Sequence, residues 1–136
     1  MNPDLYASLA FIVATVIHGG PFTAIRRGDP VSGPHTLFTG LVGARVNVYD
    51  YERAETISGL LRGSTYHLYD VLTRRRLQCT VEGEAFEGID ESTNMPFSGR
   101  VQGLQVTLYD GEFGTWHDFT AVPEWHRRIT RHLRPR

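Results

Sequence analysis

The 136-residue chain contains no lysine, a single cysteine and no apolar run long enough to span a bilayer. The lone cysteine, Cys79, excludes an intrachain disulfide framework and a cysteine-rich zinc site, and we expect a reducing cytoplasm as its compartment. Fourteen basic residues, all of them arginine, stand against 15 acidic ones for a net charge of −1. This balance gives no overall electrostatic basis for binding nucleic acid or an anionic membrane, so neither is an expected partner.

The most apolar segment, Leu5 to Ile17, is predicted to form a helix over residues 3–18. No basic residue precedes it, as a signal peptide would require. Asn2 is a favourable N-cap, Pro3 suits the first helical position, and two glycines at 19 and 20 end the helix. Its polar residues fall on one narrow stripe, so nearly the whole helix must be covered. Because the segment is rich in β-branched residues, a buried strand is the alternative.

A repeat of 20 residues runs through the middle of the chain. An aspartate preceded by a tyrosine or isoleucine recurs at this interval, in Tyr49-Asp50, Tyr69-Asp70, Ile89-Asp90 and Tyr109-Asp110. Around each pair, apolar residues alternate with polar ones, which is typical of a half-buried strand. Each repeat therefore predicts two strands joined as an antiparallel hairpin, with turns at both ends.

The repeats predict a mainly β fold: a small antiparallel β-barrel of tandem hairpins, with an N-terminal apolar helix and a short C-terminal helix. Residues 37–121 hold roughly seven or eight strands, too many for a flat sheet with both edges open. We expect one domain over residues 1–136, with the helix at 3–18, the β repeats at 36–122 and a basic C-terminal segment at 123–136. A parallel β-solenoid with one repeat per coil is the alternative.

Small residues recur at one position of the outgoing strands, at Thr39, Gly59, Cys79 and Gly99. A row of small side chains lets another element approach closely, and the N-terminal helix is the candidate. Glycine in a strand also marks the bends that a small barrel needs in order to close. Both interpretations stay open at the level of sequence.

Part of the repeat region resembles the YD-type repeats of Rhs proteins. The stretch YHLYD at 66–70 approaches the Tyr-x-Tyr-Asp motif of that family, and TRRRL at 73–77 follows it in the place of the Gly-Arg-Leu element. The resemblance extends from Arg45 to Phe119 at most, and it implies tandem hairpins rather than the function of a toxin shell. The run from Ile57 to Phe119 is also loosely similar to OB-like barrels.

The repeated Tyr-Asp pairs are the predicted ligand-binding residues, because they would gather at one rim of the barrel. This rim comprises Tyr49, Tyr69, Tyr109, Asp50, Asp70 and Asp110. Together with Asp90, four carboxylates at one end would suit a hard cation such as calcium. Aspartate also caps turns by accepting hydrogen bonds from its own backbone, and this is the preferred explanation. We therefore predict no metal and no cofactor.

Linear motifs for catalysis are absent from the sequence. The six histidines show no ligand spacing, and no serine lies in a GxSxG elbow. Cys79 falls on an apolar face, which favours a packed thiol over a nucleophile. We therefore predict no catalytic residue.

The end of the chain is strongly basic. After Glu124 it carries arginines and no acid, whereas the preceding residues hold nine arginines against 15 carboxylates. Spacing of apolar residues predicts a short amphipathic helix over 123–133, and the predicted partner-binding residues are Arg127, Arg128, Arg131 and Arg134. We expect them to dock on an acidic surface, within the chain or across a dimer, that includes Glu82, Glu84, Glu87, Asp90 and Glu91. Nucleic acid is the alternative partner of this segment.

These observations favour a noncatalytic β-barrel that binds or assembles with a small-molecule or protein partner. A small enzyme with its site at the Tyr/Asp rim is the alternative. A homodimer is expected, because one face of a small barrel would cover only about half of so apolar a helix.

Overall fold

The computed structural model describes residues 1–28 and 35–124, which form a closed antiparallel β-barrel of ten strands with one N-terminal helix. The predicted mainly β barrel is therefore confirmed. A 3-10 turn, Pro3–Leu5, leads into helix α1, Tyr6–His18. The strands are β1 Phe22–Arg27, β2 His35–Val42, β3 Arg45–Asp50, β4 Glu55–Arg62, β5 Thr65–Asp70, β6 Arg75–Glu82, β7 Ala85–Asp90, β8 Met95–Gln102, β9 Gln105–Asp110 and β10 Thr115–Pro123.

Every strand pairs with its neighbours in sequence, and β1 closes the barrel by pairing with β10. All of these pairs are antiparallel, so the solenoid alternative is wrong. Residues 37–121 hold all or part of nine strands, β2 to β10, where seven or eight were predicted, and β1 lies before that range. Sequence-adjacent pairing follows from the short turns, which leave a hairpin as the available connection.

The two ends of the barrel have different turns. At the aspartate end, four-residue turns follow Asp50, Asp70, Asp90 and Asp110, and the last turn residue has a positive φ in each. At the opposite end, which we call the glycine end, two-residue turns begin with Gly63, Gly83 and Gly103 at φ near 60°. Glycine adopts this conformation without steric cost, so these residues terminate the strands at fixed positions.

The first hairpin, β2–β3, has one more residue in its turn than the hairpins that follow. Val42 pairs with Val46 at its glycine end, whereas Arg62 pairs with Thr65 in the next hairpin. The extra residue shifts the register, so Gly40 and not Thr39 occupies the small position on β2, and Thr39 is exposed. The predicted membership of Thr39 in the row of small residues is therefore wrong.

Helix α1 lies inside the barrel and runs from its aspartate end to its glycine end. Residues 6–14 are all buried, and the helix contacts strands from around the barrel, including β1, β3, β6 and β9. Tyr6 reaches Asp110 at the aspartate end, while His18 packs on Phe22 at the glycine end. A helix that is apolar on nearly all sides requires such an environment. The predicted burial of the helix is confirmed, and the strand alternative is wrong.

Glycines of the small-residue row lie against the paired strand rather than against α1. A Cβ added to Gly99 would lie 2.0 Å from the carbonyl oxygen of Thr107 and 2.5 Å from the ring of Phe86. At Gly59 it would lie 2.3 Å from the carbonyl oxygen of His67. Such close approach of the neighbouring strand favours the bend interpretation over helix packing at these two glycines.

The C-terminal helix predicted over 123–133 falls almost wholly outside the described residues, as do Arg127, Arg128, Arg131 and Arg134. Strand β10 extends to Pro123 at the glycine end. No described helix is both long enough and apolar enough to cross a membrane.

Candidate functional site

The predicted rim of Tyr-Asp pairs is divided between the two faces of the barrel wall. Asp50, Asp70 and Asp110 point into the barrel and are buried. Tyr49 is exposed on the outer wall, and Tyr69 and Tyr109 are half-buried there. Successive residues of a strand point to opposite faces, so the members of one pair never share a surface.

Asp50 and Asp70 are bridged by one arginine at the aspartate end. The Arg53 Nε lies 3.5 Å from Asp50, and its Nη2 donates to Asp70 at 2.5 Å. Asp50 also accepts the backbone N–H of Glu52 at 2.9 Å and the hydroxyl of Ser8, from α1, at 3.2 Å. These carboxylates therefore cap their turns and attach the helix to the wall.

Asp90 occupies the equivalent position on β7 with fewer partners. Its Oδ1 accepts the backbone N–H of Ser92 at 2.9 Å. Its Oδ2 lies 3.5 Å from the Arg75 guanidinium and has no hydrogen bond among the described residues. Since Asp90 is fully buried in the lumen, it is not part of an acidic outer surface, and its predicted place there is wrong.

Asp110 is the most densely partnered of the four carboxylates. It accepts hydrogen bonds from the Tyr6 hydroxyl, from the Met1 ammonium at 3.0 Å and from the backbone N–H of Glu112 at 3.0 Å. Burial acts to raise the pKa of Asp110, but these donors outweigh it and lower the pKa below its usual value. Burial and the neighbouring carboxylate raise the pKa of Tyr6, so its hydroxyl remains a donor.

The aspartate end is therefore a structural polar cluster. Every carboxylate in it accepts a backbone N–H from the following turn, and the described residues contain no group of ligands that would hold a metal. The histidine nearest to it, His117, packs its ring on Tyr6 with centroids 4.3 Å apart. These contacts favour turn capping over the calcium hypothesis.

Concave surfaces lie instead on the outer wall. One, the Trp116 groove, has a volume of about 520 Å³ and crosses β6 to β10. Its lining includes Glu82, Glu87, Arg100, Thr107 and Trp116. Trp116 is 65% exposed, and its ring lies 4.9 Å from that of Tyr109. Next to this groove is a depression of about 480 Å³, to which Tyr109 itself contributes.

A larger groove of about 970 Å³ crosses β2 to β6, and we call it the basic groove. Its cationic and aromatic lining consists of Arg45, Arg62, His67, Tyr69 and Arg76. No acidic residue is among the described residues that line it. Arg76 lies over the ring of Tyr69, 5.1 Å from its centroid.

Trp116, Arg45, Arg62 and Arg76 are not among the binding residues predicted from the sequence. These residues alternate along their strands with the buried ones, so the alternation of the sequence pattern would have identified them as outward-facing. The alternation alone does not say which outward positions become neighbours across the wall, because that depends on the register of five strands in each groove.

Comparison with known proteins gave no match of the chain to a family model, a curated protein or a solved structure. The resemblance to YD-type repeats and the likeness to OB-like barrels therefore stay predictions.

Proposed function

We propose that this protein is a noncatalytic binding module that recognises a protein partner through the Trp116 groove. The lumen, where many barrels hold a ligand, is filled by α1 and by the inward side chains of the strands. A filled barrel leaves its outer wall for recognition, and the concave surfaces described above lie there.

The exposure of Trp116 carries this proposal. An indole that is 65% exposed beside a cavity is unusual on a folded domain. Tryptophan, tyrosine and arginine are the residue types that contribute most to protein-protein binding energy. Trp116, Tyr109 and Arg100 lie at or next to this groove.

The charges of the groove indicate the chemistry of the partner. Glu82 and Glu87 are exposed and line it, and Arg100 is the one cation among the described residues of its lining. Such a surface suits a peptide segment that carries a cationic side chain beside an apolar one. Buried carboxylates such as Asp110 do not contribute, since they are sealed inside the barrel.

The enzyme alternative draws no support from the Tyr/Asp rim. Tyr49, Tyr69 and Tyr109 face outward, and the paired aspartates face the lumen, so a substrate would not meet both groups at once. A binding site does not require the tyrosines and aspartates to lie on one surface.

Selection from a random peptide library tests the proposal. We expect the full chain to enrich peptides that combine basic and aromatic residues, and Trp116→Ala to weaken them by about tenfold or more, as truncation of a hot-spot residue does. Leu72→Ala is the matched control, because Leu72 is 63% exposed on the other side of the barrel, in the turn between β5 and β6.

Two results would contradict the proposal. One is that the native chain enriches no peptide over a selection without protein. The other is that the selected peptides bind Trp116→Ala as tightly as the native chain, or lose the same affinity with Leu72→Ala.

A further inference from the structure

The basic groove lies on the part of the wall that the Trp116 groove does not use. We propose that it binds single-stranded nucleic acid, with arginines contacting phosphates and a tyrosine stacking on a base. This inference goes beyond the proposed function, since it concerns other lining residues and another class of ligand.

The arginines of the groove, Arg45, Arg62 and Arg76, are exposed and lie outside the ion pairs of the described residues. His67 is exposed beside them. A planar guanidinium presents paired N–H donors that match two phosphate oxygens, and its weak hydration lowers the cost of that contact.

An aromatic platform lies among these cations. Arg76 lies over the Tyr69 ring, 5.1 Å from its centroid, so a base that stacks on this ring would take the place of the guanidinium. The next outward tyrosine, Tyr49, is 37% exposed on β3. Alternation of guanidinium and aromatic surfaces is the combination that binds single strands, because every base has a face that can stack.

The dimensions of the groove suit a chain rather than one phosphate ion. Along β4 the lining runs from Thr56 to Arg62, which is ~20 Å at the usual rise of ~3.3 Å per residue. Such a length accommodates roughly four nucleotides. Arg45 and Arg62 lie toward the glycine end and Arg76 toward the aspartate end, so the phosphate contacts would be spread along the strand.

A single strand fits this surface better than a duplex. Proteins read duplex DNA by inserting a helix or a β-ribbon into the major groove. The described helix, α1, is enclosed in the barrel, and the basic groove is concave. A concave wall receives a flexible strand, whereas a duplex would contact only its edges.

This inference departs from the expectation drawn from the net charge. That charge is close to zero over the whole chain, but folding separates the charges among surfaces, placing Glu82 and Glu87 on the Trp116 groove and three arginines on the basic groove. Local charge, not the sum, determines where phosphates bind.

Fluorescence anisotropy with a labelled oligothymidylate and an oligouridylate of about twelve nucleotides tests the proposal. We expect the full chain to bind both, with affinity that falls as salt rises. The triple variant Arg45→Gln, Arg62→Gln, Arg76→Gln should lose about tenfold or more in affinity, and the slope of log affinity against log salt should decrease by about 2. Arg100→Gln, in the Trp116 groove, is the matched control and should bind as the native chain does.

The aromatic contribution is tested separately. Tyr69→Ala should weaken oligonucleotide binding by about tenfold, and Tyr69→Phe should retain it, because stacking needs the ring and not the hydroxyl. Tyr109→Ala is the matched control on the opposite part of the wall. Trp116→Ala should leave oligonucleotide binding unchanged, so that failure of this inference and failure of the proposed peptide site are distinguishable.

Three outcomes would overturn the inference. In the first, glutamine at all five tail arginines, 127, 128, 131, 134 and 136, abolishes binding while the triple groove variant binds normally. In the second, inorganic polyphosphate competes as well as the oligonucleotide and Tyr69→Ala has no effect, which would indicate general polyanion binding. In the third, a duplex of the same length binds as tightly as the single strands.

Discussion

Buried aspartates at one end of the barrel join three kinds of partner: turn backbone, arginine side chains and the enclosed helix. Asp50 holds Ser8, and Asp110 holds Tyr6, so α1 is attached to opposite parts of the wall by side-chain hydrogen bonds. A buried carboxylate that loses a donor keeps its desolvation cost. These residues therefore position the helix along the axis as well as ending the strands.

The Tyr6 hydroxyl is expected to stabilise the fold. Tyr6→Phe removes a donor to buried Asp110 and should lower the free energy of unfolding by ~1–3 kcal/mol in urea denaturation. Tyr66→Phe is the control, since the Tyr66 hydroxyl has no hydrogen-bond partner among the described residues, and it should change stability little. Equal effects of the two substitutions would show that the bond to Asp110 contributes nothing.

Acid should destabilise the protein partly through Asp110. Because its pKa is lower in the folded state than in the unfolded chain, the unfolded chain takes up the proton first as pH falls. The stabilisation that ionised Asp110 contributes is thus fully present above the pKa of the unfolded chain, ~3.9, and is lost as pH falls through the lower pKa of the folded state. In urea denaturation across this pH range, the free energy of unfolding should decrease less with falling pH for Asp110→Asn than for the native chain. Asp118 is exposed, so Asp118→Asn should lose stability with falling pH as the native chain does. The same pH dependence in Asp110→Asn would contradict the prediction.

At the level of elements, each hairpin combines a bend within one strand with a turn at either end. The inward glycines on β2, β4, β7 and β8 let their strands approach the next backbone more closely than any side chain would permit. A closed sheet must bend to return to its first strand, and these positions supply the bends. The repeat thus encodes curvature as well as strand length.

Substitution of Gly99 by alanine should be costly. Its Cβ would overlap the Thr107 carbonyl and the Phe86 ring, so the free energy of unfolding should fall by ~1–3 kcal/mol or more. Gly43→Ala is the matched control, because its added Cβ meets nothing within 4 Å and its φ is not positive. Thermal and urea unfolding of both variants check this, and a Gly99→Ala protein as stable as the native chain would remove the bend interpretation.

For the molecule as a whole, the main consequence of the fold is that one chain covers its own apolar helix. The predicted homodimer rests on two arguments, the exposure of that helix and the attraction between a basic tail and an acidic body. Burial of residues 6–14 inside the barrel removes the first. The second argument concerns charges alone, so an association based on it would weaken as the salt concentration rises.

A homodimer held by tail contacts should dissociate as salt increases. Light scattering at micromolar concentration should then give a dimer mass at low salt and a value nearer the monomer at moderate salt, because screening weakens contacts between exposed charges. Glutamine at the tail arginines should produce the monomer mass at low salt. A monomer mass at both salt concentrations would contradict the predicted dimer.

Much of the architecture was predictable from local pattern. The 20-residue spacing of Asp50, Asp70, Asp90 and Asp110 located four turns, and alternation around them located the strands. The register shift at Gly40 was not predictable, since it depends on one extra residue in a turn. Nor were the grooves, because Arg45 and Arg76 are far apart in sequence and share a surface only through the pairing of β3 to β6.

The sequence by itself determined the period, the antiparallel hairpins and the need to bury an almost wholly apolar helix, because each of these follows from neighbouring residues and from the two faces of a strand. Tertiary structure alone decided what covers that helix. Sealing the barrel with β1 against β10 created an interior that accepts α1, and it enclosed the aspartates of the repeated pairs while leaving their tyrosines on the outer wall. Closure of the barrel depends on the register and the bends of all the strands together, so it cannot be predicted from the sequence of a single repeat.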